Sequence, residues 1–280
     1  MNFGLIIIGD EILSGKRADK HLVKAIEILG QRGLQVAYAD YVGDDPDRIT
    51  ETLRRAFASG DVVFSFGGIG ATPDDHTRQC AARALGVDLA LHPEARNLIL
   101  ERMQDVAREQ GAVFEPDRPD NQHRLNMGMF PVGADIIPNP FNKIAGFSLW
   151  NSPPGGAATR EAAERGGIHF VPGFPVMAWP MVEWVLDTHY SAHFRQGAWQ
   201  EQSVIVFGAM EATLTPLMES IEQEFPVKVF SLPSVDHPTY GRHIELGVKG
   251  SPQAVVSAYA ALLKGLHRFG VTLGPELVRT

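Results

Sequence analysis

Three times in its first third this chain places a short apolar run ahead of an amphipathic one, and that alternation limits the folds open to it. Leu5 to Ile8 reads as a strand, and Ala18, Leu22, Ala25, Ile26 and Leu29 then mark one face of a helix that stops between Gly30 and Gly33. Leu34 to Ala39 reads as a second strand. Asp45 and Pro46 open a helix with Ile49, Leu53, Ala56 and Phe57 on one side, and Gly60 ends it. The third strand, Val62 to Phe66, carries no charge and precedes a helical segment marked by Ala81, Ala82 and Leu85. Such βαβαβα order predicts an α/β fold, with a mostly parallel sheet between helical layers and right-handed crossovers. Ligands in sheets of this kind bind beyond the carboxyl ends of the strands.

The turn after the third strand, Gly67 to Thr77, reads GGIGATPDDHT. Gly67, Gly68 and Gly70 allow close backbone approach, and with Ala71 and Thr72 they form a candidate phosphate-binding turn leading into a helix N-terminus. The same letters also suit capping alone: Thr72 as N-cap, Pro73 in the first helical position, and Asp75 as the acid of a capping box. Asp74 and Asp75 would repel an anion, and a divalent metal of the magnesium type would reconcile the two.

Topology brings further acids to the same sheet edge. The first strand ends at Asp10 and Glu11, and the second near Asp44 and Asp45. If strands one and three are neighbours, Asp10, Glu11, Asp74 and Asp75 form a candidate metal set. Asp45, before Pro46, fits an N-cap better, which leaves Asp44 facing the cleft. Lys143 could neutralise a phosphate as a point charge, or sit at a solvated loop tip. His76 and His21 are weighed as surface histidines against site residues, and Arg78 as a residue that packs or pairs with acids.

Beyond Leu89 a helical pattern runs from His92 to Gln110, and short strands at Asp135 to Ile137 and Phe147 to Trp150 enclose the loop Asn139 to Gly146. Ser152 to Gly156 and Arg160 to Arg165 read as an exposed excursion before the strand Ile168 to Val171 and a helix through Trp184. From Ser203 the order becomes β-α-β-β-α. The expected division is 1–193, a small α+β domain at 200–272, and a tail at 273–280. A net charge of -8 argues against nucleic-acid binding, no segment is long enough to span a membrane, and the single cysteine, Cys80, fits a reducing, cytoplasmic setting.

The motifs GDEILSG (Gly9 to Gly15), VGDD (Val42 to Asp45), GGIGATPDDHT, PVGA (Pro131 to Ala134) with Asn139 and Pro140, and VPGFP (Val171 to Pro175) resemble, in order and spacing, those of the CinA-like family. The resemblance covers about residues 1 to 190 and extends to the small α+β domain. It implies the three-layer MoaB/Mog, or molybdopterin-binding, fold, without the family's C-terminal nicotinamide-nucleotide amidase domain. It also implies a metal-dependent pyrophosphatase acting on a nucleotide diphosphate of the ADP-ribose or FAD type. In that reading Asp44 and Asp75 match the Mog-type catalytic acids. The alternative it implies is a molybdopterin-binding or molybdopterin-adenylylating protein, or a non-catalytic nucleotide or pterin module. Partners would be a small nucleotide or pterin and further copies of the chain in a homo-oligomer. Departures from the family pattern fall at Asp19, Lys20 and His21, at Ala71 and Met127, at Asn142 to Gly146, and at Met177, positions expected to shape the substrate.

Overall fold

The computed structural model describes residues 1–151, 166–194 and 200–279, so the expected excursion at 152–156 and 160–165 lies outside the described residues. The chain divides into two compact units, Met1–Phe194 and Arg195–Thr280.

The first unit opens with strand β1 (Phe3–Ile8), helix α1 (Asp10–Leu13), helix α2 (His21–Gly30), strand β2 (Val36–Val42), helix α3 (Pro46–Ser59), strand β3 (Val62–Phe66) and helix α4 (Thr77–Leu85). Strand β4 (Leu89–Leu91), helix α5 (Pro93–Glu109), helix α6 (Pro119–Arg124) and strand β5 (Met129–Pro131) follow, then β6 (Asp135–Ile137), β7 (Gly146–Trp150), β8 (Gly167–Val171) and helix α7 (Pro175–His189). Its main sheet has the order β2-β1-β3-β8-β7-β6. The first four strands are parallel, whereas β7 pairs antiparallel with both β8 and β6. A separate two-stranded ribbon, β4 with β5, is not among the strands expected from the sequence.

Alternation along β1 builds three layers. Leu5 and Ile7 pack with α2 and α7 residues such as Ile28 and Val185, while Ile6 and Ile8 pack with Ile49 and Leu53 of α3 and Ala81 of α4. Helix α3 shows why the pattern is local as well: Asp45 accepts the Arg48 N–H at 2.8 Å, Pro46 starts the helix, and Gly60 ends it at φ 73°.

One polar chain crosses this core. Ser148 Oγ lies 2.8 Å from His169 Nδ1, and His169 Nε2 lies 2.8 Å from the Tyr190 hydroxyl, all three side chains being buried. Trp150 packs edge-on against the His169 ring. Burial pushes the imidazole pKa down to about 3 and raises that of the Tyr190 hydroxyl, so both are neutral.

The second unit contains β9 (Gln200–Phe207), α8 (Glu211–Glu224), β10 (Val227–His237), β11 (Gly241–Gly250), α9 (Pro252–His267) and β12 (Thr272–Arg279). Its antiparallel sheet has the order β10-β11-β9-β12, with α8 and α9 burying Leu214, Ile221, Tyr259 and Leu262. The expected tail at 273–280 is corrected here: Leu277 and Leu273 sit in β12, which pairs with β9, and Arg279 binds Glu245 through both guanidinium arms. Gly274 and Pro275 interrupt the alternation that would have marked it, and the register shifts there between Leu273 and Glu276.

Candidate functional site

The carboxyl ends of β1, β2, β3 and β8 lie side by side, so the loops after them share one edge of the sheet. The loop after β3 is ordered by its carbonyl groups. Gly67 O accepts the Thr77 hydroxyl at 3.1 Å and Gly68 O accepts the Thr77 N–H at 3.0 Å. Ile69 O accepts Nη1 of Arg78, Gly70 O accepts its Nη2 at 2.7 Å, and Ala71 O lies 3.4 Å from His123 Nε2 on α6. Five successive carbonyls are thereby held against the protein. The N–H groups of Gly68, Ile69, Gly70 and Ala71 have no acceptor among the described residues. Successive peptide N–H groups left open in this way are what an anion-binding nest requires.

Glycine is required by this geometry at two points. Gly67 adopts φ 99° and a Cβ there would lie 2.5 Å from the Ile8 carbonyl oxygen; Gly68 adopts φ 68° and a Cβ would collide with the Thr77 hydroxyl.

The helix itself starts later than the sequence predicts. Helix α4 begins at Thr77 with His76 as its cap residue, not after Thr72. Thr72 to Asp75 instead form a tight turn, closed by Asp75 N–H to Thr72 O at 3.0 Å. Asp75 Oδ2 accepts the Thr72 N–H at 2.8 Å and its hydroxyl at 2.5 Å, so the capping-box contact forms inside a loop. The candidate cradle is therefore made of loop amides rather than of a helix N-terminus.

Arg78 is the residue that the sequence undervalues. Only 3% of it is exposed, and loop carbonyls rather than acids take its two terminal nitrogens. Its Nε is buried with no partner, and burial lowers its pKa against the opposing charge of Asp75. The available signal was its spacing from Ala81 and Ala82, which puts a guanidinium on the buried face of α4 and obliges it to find acceptors there.

On the neighbouring loops, Asp10 and Asp44 hold each other through reciprocal bonds. Asp44 Oδ2 accepts the Asp10 N–H at 2.9 Å, and Asp10 Oδ1 accepts the Asp44 N–H at 3.2 Å. The Asp44 carboxyl is held above its usual pKa by burial first, then by the charges of Asp10, Glu11 and Asp74, with the Asp10 N–H opposing the shift. Asp74, fully exposed, is held below the usual range, first by the nearness of the Thr72 side chain. Gly43 makes the pair possible, since a Cβ there would lie 2.5 Å from Asp10 Oδ1. Gly43→Ala should cost roughly 1–2 kcal/mol in urea unfolding by forcing that carboxylate away. It should also return the Asp44 titration, followed by NMR, toward the ordinary carboxylate range.

The expected metal set is not gathered. Among the described residues, no group of three His, Cys, Asp or Glu side chains is arranged to hold a metal ion. Asp75 is turned to Thr72 and Asp10 to the Asp44 backbone, and a hard cation needs several convergent oxygens. Lys143, expected to face a phosphate, pairs with Asp105 at 2.8 Å and Glu101 at 3.4 Å on α5. These acids raise its pKa. It sits at φ 63° in a loop whose Asn139 side chain binds Ile144 O and the Phe141 N–H.

His21 packs into the site floor. Its ring stacks on Phe66 with centroids 4.4 Å apart, and its Nε2–H donates to Gly173 O at 3.1 Å, while burial lowers its pKa. Asp19 caps the start of α2 through the His21 and Leu22 N–H groups and accepts the Tyr41 hydroxyl at 2.7 Å.

Comparison with known proteins places this arrangement in a family. A CinA-like protein of Citrifermentans bemidjiense is 30% identical over 230 residues, which is 82% of this chain and 50% of that protein. A protein of Pyrobaculum calidifontis is 28% identical over 268 residues, covering 94% of this chain and 93% of its own. This chain thus spans about half the length of the first CinA-like relatives it matches. The solved structure of the protein CinA, of unknown function, from Thermoplasma acidophilum superposes with a TM-score of 0.53 at 25% identity, over 67% of this chain and 98% of that one. Residues 4–190 match the family described as probable molybdopterin binding domain, and the chain belongs to that family and is similar to CinA-like proteins.

Proposed function

We propose that the first unit binds a phosphate-bearing pterin or nucleotide, of the molybdopterin class, with its phosphate on the amides of Gly68 to Ala71. The observation that carries this reading is the loop in which all five carbonyls from Gly67 to Ala71 are bound by the protein while four consecutive N–H groups have no partner among the described residues. Oriented peptide dipoles of this kind favour an anion without any basic side chain. Family membership supplies the ligand class.

Asp44 is the acid best placed for chemistry beside that anion. A carboxyl held above its usual pKa is able to exchange a proton nearer neutrality. Asp75, bonded to Thr72, holds the turn, so binding does not depend on its charge. Pyrophosphate hydrolysis through a metal held by Asp10, Glu11, Asp74 and Asp75 lacks a gathered ligand set and is not the reading adopted.

Calorimetric titration of the whole chain with a pterin phosphate and with nucleoside monophosphates tests this. Gly68→Ala should abolish saturable binding, and Asp75→Asn should leave affinity within about threefold or raise it, because an amide oxygen can still accept from Thr72. Wild-type protein that binds none of these ligands would overturn the proposal.

A further inference from the structure

Beside α5 lies a cavity of about 200 Å³. Ile99, Met103 and Val106 of α5 form one wall, and Met127 and Ile144 face them. Arg102, Arg124 and Asn142 are the polar residues among those that line it. Each arginine has one nitrogen engaged, Arg102 Nη1 on Glu109 at 3.1 Å and Arg124 Nη1 on Asn121 Oδ1 at 3.3 Å. The remaining N–H groups of each fork have no hydrogen-bond partner among the described residues.

Two contacts tie the cavity walls to the cradle. His123, adjacent to Arg124, reaches Ala71 O of the nest. On the other side, Asn142 Nδ2 lies 3.4 Å from Met177 Sδ in the first turn of α7, and that helix follows Gly173, whose backbone approaches Gly67.

The volume decides what such a cavity can take. Sites that enclose a drug-sized ligand run to roughly 300–1,000 Å³, so this one admits a single ring system and leaves the rest of a ligand outside. Apolar walls suit the faces of a planar ring, and guanidinium N–H groups suit acceptor atoms on its edge, carbonyl oxygens above all.

We infer that this cavity takes the heterocycle of the ligand whose phosphate lies on the Gly68 to Ala71 amides, and that Arg102 and Arg124 select a ring bearing a lactam carbonyl. The inference rests on the proposed phosphate site and adds the ring subsite and its chemical preference. A 6-oxo ring such as guanine presents that acceptor beside N7; adenine carries an amino group in its place, which cannot accept from a guanidinium, and so offers the forks one acceptor fewer.

The test uses the full chain with three probes: inorganic phosphate, GMP and AMP. GMP should bind at least tenfold more tightly than phosphate and more tightly than AMP. Val106→Trp, which fills the cavity from α5, should bring GMP down to the level of phosphate while phosphate affinity stays unchanged. Met127→Trp fills it from the opposite wall and serves where the first variant fails to fold. Arg124→Gln should narrow the gap between GMP and AMP. Unchanged GMP affinity in a folded filled variant overturns the ring subsite, and equal wild-type affinity for GMP and AMP overturns the lactam preference. Phosphate binding with no gain from either ring overturns this inference alone. Loss of all three probes in the wild type overturns the phosphate site as well.

Discussion

Arg78→Met is expected to abolish phosphate-ligand binding and to lower stability by roughly 2–4 kcal/mol, the range for leaving buried partners of a charged group unsatisfied. The methionine would fill the channel occupied by the arginine stem but leave the carbonyls of Ile69 and Gly70 without donors. Either those peptides stay in place with two unpaired buried acceptors, or they rotate and turn oxygen toward the anion. Both outcomes harm the nest, and the second reverses its sign. Affinity should therefore fall by at least about tenfold, or about 1.4 kcal/mol, even where the protein remains folded. Calorimetry with inorganic phosphate, alongside urea unfolding of the same samples, separates the two effects. Unchanged phosphate affinity in folded Arg78→Met would refute the role assigned to the loop carbonyls.

Acid should destabilise this protein well before its carboxylates titrate. His169 is neutral in the folded state with its pKa pushed down to about 3, whereas an unfolded histidine titrates near the reference value of about 6.5. Below pH 6.5 the unfolded chain binds a proton that the native chain does not. Stability contributed by the neutral ring is thus fully present above that pH and is lost as pH falls toward 3, at a limiting slope of about 1.4 kcal/mol per pH unit. His21, also lowered by burial, adds to the slope in the same direction. His169→Phe should cost roughly 2–4 kcal/mol at pH 7.5, since Ser148 and Tyr190 lose their shared partner, and should remove about one proton from the uptake on unfolding between pH 6 and 4. Urea unfolding followed at a series of pH values measures both quantities. A wild-type profile that is flat from pH 7 to 5 would contradict the buried neutral ring.

Much of the first unit is legible in the sequence because β1, β3 and β8 are buried on both faces and its helices carry strong local signals. Val62 to Phe66 and the Asp45-Pro46 helix start are read within the chain alone. What escapes are features whose cause is tertiary. The antiparallel pairing of β7 depends on its neighbours in the sheet, and no period within Gly146–Trp150 records direction. The site divides in the same way. Glycines and acids announce themselves by type and spacing, so the Gly67 to Thr72 turn and the placing of Asp10 and Asp44 on one sheet edge follow from topology once β2, β1 and β3 are neighbours, whereas the bonds between Asp10 and Asp44 do not. Where each carboxylate points is set by which backbone N–H it meets first. Asp75 meets Thr72, and the later start of α4 follows from that turn. The acids of α5 take Lys143 by the same competition, with partners some forty residues away in the chain.

A grip made of peptide amides has a consequence for how the protein can diversify. The loop's own N–H groups contain nothing that a change of side chain can delete, provided Gly67, Gly68, Thr77 and Arg78 keep the carbonyls turned inward. Residues around it, such as Met127, Asn142 and Ile144, are then free to drift without cost to the anchor. In the proposed arrangement anchor and selector are separable modules, so a new cargo can be acquired by altering one while the other stays as it is.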